Sequence, residues 1–224
     1  MTGDDIMVRI PTHIPGMDKL LNGGFIEGTT NLLTGNTGTC KSIFSMQFLA
    51  NRVLQDNEKV AYITTEDGVE SIHLQAEQFG WKLREGELKK NFKVYKLPPY
   101  SINKFVGLIE EIKRAGIKRL VIDSMSVFEI YVKEPFNMRK NLFNILELLR
   151  HGNLVTIMTA ERPEGFKGYS RSDIVEFMAD TVIVLQYIQA AKIKRNVNVR
   201  KMRFTRHDEN VHPFRITNKG IVVS

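Results

Sequence analysis

Residues 35 to 42 read Gly-Asn-Thr-Gly-Thr-Cys-Lys-Ser, a glycine-containing loop that ends in a lysine and a hydroxyl residue. The β-rich run 29–34 before the loop predicts a strand, and the amphipathic run 42–55 after it predicts a helix. A strand, a loop and a helix in this order are typical of a phosphate-binding loop, in which backbone N–H groups and the helix N-terminus surround a phosphate. The lysine then neutralises the β- and γ-phosphates, and the hydroxyl binds Mg²⁺.

This pattern predicts ATP and Mg²⁺ as cofactors. Lys41 is the predicted catalytic cation of the loop, and Ser42 is a predicted metal ligand. The nucleotide-binding residues predicted from the loop and the first turn of its helix are Gly35, Asn36, Thr37, Gly38, Thr39, Cys40, Lys41, Ser42 and Ile43.

Cys40 occupies the position immediately before the lysine, where the motif has glycine. A side chain there costs about 1 kcal/mol if the backbone needs a positive φ, and it crowds the nucleotide. We expect this cysteine to weaken hydrolysis more than binding. A thiol at a helix N-terminus beside a lysine also predicts a lowered pKa and a raised reactivity, with bound ATP protecting Cys40 from alkylation.

Three carboxylates follow two other apolar runs. Asp123 ends the run Leu120-Val-Ile-Asp123, and Glu66 and Asp67 follow the run 60–65. Ligands of α/β proteins bind at the carboxyl ends of the parallel strands, where these side chains would lie. The sequence therefore predicts Asp123 as a ligand of the nucleotide's metal, Glu66 as the catalytic base that orients water, and Asp67 as a residue that tunes Glu66 or binds metal through water.

Strand and helix patterns alternate along most of the chain. Further strands are predicted at 92–97, 119–123 and 154–159, and further helices at 69–79, 103–115 and 136–151. The last part differs, because the runs 181–186, 196–204, 213–217 and 220–223 are strand-like with no helices between them. We predict an α/β fold with a RecA-like P-loop core, a mostly parallel twisted sheet flanked by helices, and C-terminal antiparallel β-hairpins. Residues 1–224 are expected to form one domain.

Composition excludes several classes of protein. No apolar run approaches the roughly 20 residues of a membrane helix, and the acidic N-terminus does not resemble a secretory signal. One cysteine and five scattered histidines match no zinc-site spacing. We therefore expect a cytoplasmic protein with no membrane partner.

The net charge is concentrated in one segment. Residues 192–206 hold seven basic and no acidic residues, and removing those seven from the 32 basic residues leaves 25, which equals the 25 acidic residues. Such a segment favours an anionic partner, either nucleic acid or phosphates that a neighbouring subunit presents, although a solvated basic hairpin is the plainer alternative.

Together these motifs resemble the RecA superfamily, and within it the KaiC-like single-domain ATPases, most closely the archaeal RadA paralogues called RadC. The resemblance extends from Ile10 to Val223. It rests on the glycine-rich segment 11–24 before the first core strand, on Thr64-Thr-Glu-Asp67, on Arg119-Leu-Val-Ile-Asp-Ser-Met-Ser126, on Met158-Thr-Ala-Glu-Arg162, and on Lys201-Met-Arg-Phe-Thr-Arg-His-Asp208. Cys40 departs from the glycine of the family.

The resemblance implies a homo-oligomer, a ring or a filament, with the nucleotide at the subunit interface. Lys201 and Arg203 match the positions that reach the γ-phosphate of the neighbouring subunit, which is an arginine finger supplied in trans. His207 matches a further nucleotide-binding position at that interface.

The resemblance also implies that two loops, 127–139 and 162–171, bind single-stranded DNA through their aromatic and basic residues. The function expected first is that of a slow ATPase that modulates recombination or repair, with single-stranded DNA and a recombinase as partners. The alternatives are a KaiC-like signalling ATPase or autokinase that acts through protein partners, and an accessory ATPase of the archaellum type.

Overall fold

The computed structural model describes residues 7–98, 102–131, 134–163, 165, 168–171, 173–188 and 195–224. Its strands are β1 (Arg9–Ile10), β2 (Phe25–Ile26), β3 (Thr30–Gly35), β4 (Val60–Thr64), β5 (Phe92–Lys96), β6 (Arg119–Asp123), β7 (Val155–Glu161), β8 (Thr181–Tyr187), β9 (Arg195–Met202), β10 (Val211–Thr217) and β11 (Gly220–Val223). Its helices are α1 (Met17–Leu20), α2 (Lys41–Asp56), α3 (Val69–Gln78), α4 (Leu88–Asn91), α5 (Ile102–Arg114), α6 (Ser126–Tyr131), α7 (Pro135–His151) and α8 (Val175–Met178).

Within the described residues, nine strands form one sheet in the order β11-β10-β9-β8-β3-β7-β6-β4-β5, and β1 pairs with β2 separately. The six strands from β8 to β5 are parallel to one another. β9, β10 and β11 extend the sheet by antiparallel pairing. The predicted fold class, a mostly parallel sheet with C-terminal antiparallel strands, is confirmed.

Helices cover both faces of the sheet, which is why nearly every residue of its central strands is buried rather than every second one. Adjacent residues of one strand belong to different cores: Leu33 packs with Phe44 and Phe48 of α2. Leu32 packs instead with the buried side chains of α5 and α7, including Phe105 and Leu146. Each strand therefore stabilises two layers of helix.

The register decides which residues meet at each edge of the sheet. Gly35 is level with Glu161 of β7 and Leu185 of β8, and Thr64 is level with Asp123, so the carboxyl ends of β3, β4, β6 and β7 form one edge. We call it the P-loop edge. β9 runs the other way, so it begins near this edge and ends at the opposite one.

The short elements β1, β2, α1, α4, α6 and α8 were not predicted from the sequence. One of them corrects an expectation, because the segment 127–139, expected to be a DNA-binding loop, lies largely in α6 and the first turns of α7. The reason is packing: Phe128 is buried in an edge-to-face contact with Phe105, with ring centroids 5.6 Å apart. Lys133 of this segment lies outside the described residues.

In the described part of the chain, no helix combines the length and the apolarity that crossing a bilayer requires.

Candidate functional site

Two glycines shape the loop after β3 for different reasons. A Cβ on Gly35 would lie 2.2 Å from the carbonyl oxygen of Leu185, so close packing against β8 excludes a side chain. Gly38 has open space around it but a φ of 80°, a left-handed conformation that favours glycine. Between them, the Thr39 hydroxyl donates to the Asn36 carbonyl at 2.7 Å and closes the turn.

Lys41 folds back over this loop. Its ammonium group donates to the carbonyl oxygens of Gly35 at 2.8 Å and of Asn36 at 3.0 Å. Burial lowers the pKa of Lys41, and the carboxylates of Asp123, Glu161 and Glu66 oppose that shift. The loop therefore holds a cation beside backbone groups that suit a phosphate, as the motif predicts.

Cys40 precedes α2 with φ 74° and ψ 31°, so this non-glycine residue does adopt the left-handed backbone. Its thiol packs beside the apolar core on the α2 face and donates weakly to the Gly38 carbonyl at 3.5 Å. Burial raises the pKa of the Cys40 thiol, and the nearby cations Arg195 and Lys41 only partly oppose this. The expectation of a lowered thiol pKa is wrong, because desolvation exceeds the effect of the cations.

Asp123 is held by two hydroxyl donors from neighbouring strands. Its carboxylate oxygens accept hydrogen bonds from the phenol of Tyr62 and from the hydroxyl of Thr159. Tyr62 is fully buried, and burial together with the Asp123 carboxylate raises the pKa of Tyr62 well above its ordinary value. The Ser42 hydroxyl, near the same phenol, partly opposes this shift. Tyr62 thus lies beside both predicted metal ligands, Ser42 and Asp123.

The two acidic residues after β4 differ in position. Glu66 accepts a hydrogen bond from the Ser124 hydroxyl at 2.7 Å and lines the cavity in front of the loop. Asp67 is exposed and does not line that cavity. Its backbone N–H donates to the Thr64 hydroxyl at 3.0 Å, which fixes the turn. The geometry separates Glu66, which faces the cavity, from Asp67, which does not.

Glu161 is a member of the site that was not predicted. It ends β7 beside the loop, where it accepts hydrogen bonds from the Thr37 hydroxyl at 2.7 Å and from the guanidinium of Arg171. These two bonds lower the pKa of Glu161. The signal that indicated Asp123, a carboxylate at the carboxyl end of an apolar strand, was also present here.

These groups surround a cavity of about 420 Å³. Its lining combines eight predicted residues with three others, Ser124, Ser126 and Glu161; the eight are Thr37, Gly38, Cys40, Lys41, Ser42, Ile43, Glu66 and Asp123. Among the described residues, no three His, Cys, Asp or Glu side chains cluster as a metal site. A hydroxyl and a carboxylate nevertheless suit Mg²⁺, which keeps several waters and takes its other ligands from the phosphates of a substrate.

The predicted interface residues lie elsewhere. Lys201 is level with Val182 on β8, three residues from Leu185, which is about 10 Å along the strand and away from the P-loop edge. The Lys201 ammonium donates to the carbonyls of Glu176 (3.0 Å), Phe177 (3.2 Å) and Ala179 (2.6 Å). Arg203 and His207 follow β9 beyond that point.

Arg203 donates to the Asp180 carboxylate at 3.4 Å and to the Phe177 carbonyl at 3.1 Å. His207 is half-buried, and its Nδ1 atom has no hydrogen-bond partner in the described part of the chain. None of these three residues lines the cavity. If they bind a nucleotide, it is therefore not the one in the loop of their own chain.

A strand–loop–helix with Lys41 and Ser42, and with Asp123 on a nearby strand of a mostly parallel sheet, defines a P-loop nucleotide-binding protein with a RecA-type core. A family model described as the KaiC ATPase matches residues 10–224. The chain belongs to the KaiC family of ATPases and is an ATP-binding protein of the RecA superfamily.

Known relatives agree with this assignment. The chain is 34% identical to the UPF0273 protein MJ1359 of Methanocaldococcus jannaschii, over 97% of this chain and 96% of that protein. It is 32% identical to the circadian clock oscillator protein KaiC of Synechococcus elongatus, over 96% of this chain but 44% of that protein. The chain thus spans less than half the length of the circadian clock relative. Among solved structures, it is similar to the KaiC-like protein PH0186 of Pyrococcus horikoshii, with a TM-score of 0.88, 35% identity, and coverage of 97% of this chain and 99% of that one.

Proposed function

We propose that this chain hydrolyses ATP slowly in the P-loop cavity and that a second copy of the chain completes each site. The observation that carries the proposal is the convergence of Lys41, Ser42, Asp123 and Glu66 on one cavity. We further propose that residues 1–224 act as a single ATPase domain.

The residues of the cavity divide the chemistry among them. The loop amides bind the phosphates, and Lys41 exchanges its carbonyl partners for phosphate oxygens. Ser42 and Asp123 would hold Mg²⁺, which neutralises charge on the phosphates. Glu66, oriented by the Ser124 hydroxyl, accepts a proton from the attacking water.

The trans arrangement is supported by the two edges of the sheet. Lys201 and Arg203 lie at the edge opposite the P-loop, so their charges can serve only the nucleotide of another copy. Contact between two different surfaces of identical chains is heterologous and produces rings or filaments. This arrangement agrees with the expected homo-oligomer.

Calorimetry and turnover assays test the roles separately. Lys41→Ala should weaken binding of ATP with magnesium about 10- to 100-fold, because it removes charge-assisted hydrogen bonds. Glu66→Gln should bind normally and lose about 10²- to 10⁴-fold in turnover. Asp67→Asn is the matched control, and a loss as large as that of Glu66→Gln contradicts the assignment of the base.

Arg203→Ala tests the trans role. It should leave ATP binding unchanged while turnover falls about 10³-fold, as for an arginine finger, and ATP-dependent assembly should be lost. Undiminished turnover in this variant refutes the completion of the site by a second copy.

A second candidate function is single-stranded DNA binding by a RadA paralogue whose protein partner is a recombinase. One observation favours DNA: Phe136 and Phe143, 76% and 54% exposed, flank the exposed residues Arg139 and Lys140 on α7. Exposed rings beside cations can stack on bases and contact phosphates.

The second predicted DNA loop has less support. Tyr169 is stacked under Arg162 at 5.4 Å and accepts a hydrogen bond from Arg200 at 2.9 Å, so its ring is already engaged. Phe166 and Lys167 of that loop lie outside the described residues. A salt titration with labelled single strands should give an affinity that falls steeply with salt, and that falls less steeply for Arg139→Gln with Lys140→Gln. Absence of binding at about 50 mM salt rejects this candidate.

The KaiC-like signalling alternative acts through protein partners and includes self-phosphorylation on Ser or Thr. The names of the circadian clock relatives support this signalling function as much as the family assignment supports simple ATP hydrolysis. Incubation with γ-labelled ATP distinguishes the two, because label retained in the chain supports the autokinase, whereas release of all label as phosphate supports the ATPase. The archaellum-type alternative predicts nucleotide binding with little turnover of either kind.

A further inference from the structure

Two exposed phenylalanines flank the cations at the edge opposite the P-loop. Phe177 in α8 is 67% exposed, and Phe204, directly after Arg203, is 64% exposed. We call Phe177, Lys201, Arg203 and Phe204 the finger edge. Large aromatic side chains left in water beside arginine are typical of the energetic centres of protein interfaces.

The backbone of Phe177 is held in place by hydrogen bonds. Its carbonyl oxygen accepts hydrogen bonds from Lys201 at 3.2 Å and from Arg203 at 3.1 Å. Arg203 also donates to Asp180, a buried carboxylate that accepts hydrogen bonds from the Thr30 backbone and hydroxyl, both at 2.9 Å. The backbone of Phe177 and the two cations are therefore connected before any partner binds, which reduces the entropy lost on association.

Phe204 has an unusual backbone as well as an exposed ring. Its φ of 69° is left-handed, a conformation that costs a non-glycine residue of order 1–3 kcal/mol. In the isolated chain, burial of its ring does not offset this cost, since nearly two thirds of the residue faces solvent. Contact with a partner would supply the missing burial.

Charge and geometry indicate which partner fits. The finger edge is basic, through Lys201 and Arg203, whereas the P-loop edge carries both signs of charge: the carboxylates of Glu66, Asp67 and Glu161 lie beside the cations Lys41, Lys96 and Arg171. The two edges lie at opposite ends of β8, which spans about 20 Å. The phosphates of a nucleotide bound at the P-loop edge would add negative charge, so a second copy can present that edge to the basic edge of the first, and every copy retains a free edge for the next.

We propose that Phe177 and Phe204 are the apolar anchors that seat the finger edge of one copy on the P-loop edge of the next. This inference rests on the proposed function, because it gives the trans cations their placement. It adds a requirement that the cations alone do not impose: removing either ring should weaken assembly although every charged group of both edges remains.

Sedimentation of the full chain with ATP and magnesium over a range of protein concentrations measures the effect. Phe177→Ala and Phe204→Ala should each weaken association about 30-fold, the loss expected for truncation of an interface hot spot. Phe177→Leu should recover part of it. Leu74→Ala on α3, where the leucine is 50% exposed, is the control and should assemble like the unmodified chain.

Calorimetry with ATP separates this inference from the proposed function. If the unmodified chain binds no ATP, the proposed function fails, whatever the assembly shows. If it binds ATP and assembles equally well with and without the two rings, the anchor inference is overturned. Equal weakening of assembly by Leu74→Ala also overturns the anchor inference. So does an effect of the ring variants that is independent of protein concentration, because the rings would then act within one chain.

Mixing two variants tests the direction of the contact. Phe177→Ala retains an intact P-loop edge, and Lys41→Ala retains an intact finger edge. Neither should turn over ATP well alone, but an equimolar mixture should recover turnover, because the second variant seats its anchors and cations on the first. No recovery in the mixture contradicts a head-to-tail contact.

Discussion

Replacement of Cys40 measures directly what the left-handed backbone of the loop costs. Its φ of 74° costs a residue with a Cβ about 1–2 kcal/mol, whereas glycine adopts it freely but loses about 0.5–1 kcal/mol of extra chain entropy on folding. Cys40→Gly and Cys40→Ala both remove the sulfur and its weak contact with Gly38. The difference between the two variants therefore isolates the Cβ, and the glycine variant should be more stable by about 0.5–1 kcal/mol.

Urea unfolding of both variants measures the difference in their free energies of unfolding. For a chain of 224 residues, this difference is equivalent to a shift of about 1–4 °C in the thermal midpoint Tm. Gly107→Ala is the matched control, because Gly107 lies within α5 at a φ that needs no glycine, and a Cβ added there would extend into open space. Alanine should stabilise the chain at 107 and destabilise it, relative to glycine, at 40. Equal stability of Cys40→Ala and Cys40→Gly refutes the reasoning.

The same pair tests the effect on function. If the Cys40 side chain limits hydrolysis, Cys40→Gly should turn over ATP faster than the natural chain, while its ATP affinity changes little. A steady-state assay beside calorimetry checks both quantities. Unchanged turnover would show that the cysteine is compatible with full activity.

Three further outcomes follow from the charges and donors around the site. Because the pKa of the Cys40 thiol is raised, alkylation should be slow at neutral pH, accelerate as the pH rises, and slow again when ATP is bound, as mass spectrometry can follow. Tyr62→Phe should weaken the magnesium dependence of ATP binding with little effect on binding of the metal-free nucleotide, since Asp123 loses a donor that orients it. Burial alone would raise the pKa of Glu58, but two buried arginines, Arg52 and Arg119, outweigh the effect of burial and lower the pKa of Glu58. The stability that this ion pairing contributes is therefore present at neutral pH and is lost as the pH falls through the folded-state pKa. Glu58→Gln should therefore lower the urea midpoint at pH 7 and reduce the loss of stability on acidification.

The strands and the phosphate loop were predictable because their signals are local. The run 119–123 places apolar residues, Leu120, Val121 and Ile122, on both of its faces, and the structure has β6 at those residues. The geometry of the loop is likewise contained within eight consecutive residues, so that Gly35, Asn36, Thr39 and Lys41 bond to one another. Short elements such as α6 escaped prediction, because its stability depends on the contact of Phe128 with Phe105, which is distant in the sequence.

The sequence by itself determined the class of fold, the loop, and the carboxylates Glu66 and Asp123 that face it, because the periodicity of apolar residues and a compact motif encode them. Only the tertiary structure decided how those groups are held. Tyr62 reaches Asp123 across 61 residues and Thr37 reaches Glu161 across 124, so no spacing in the sequence reveals either bond. It also decided the sign of the Cys40 pKa shift, which depends on burial, and the separation of Lys201 and Arg203 from the loop, which depends on the antiparallel direction of β9.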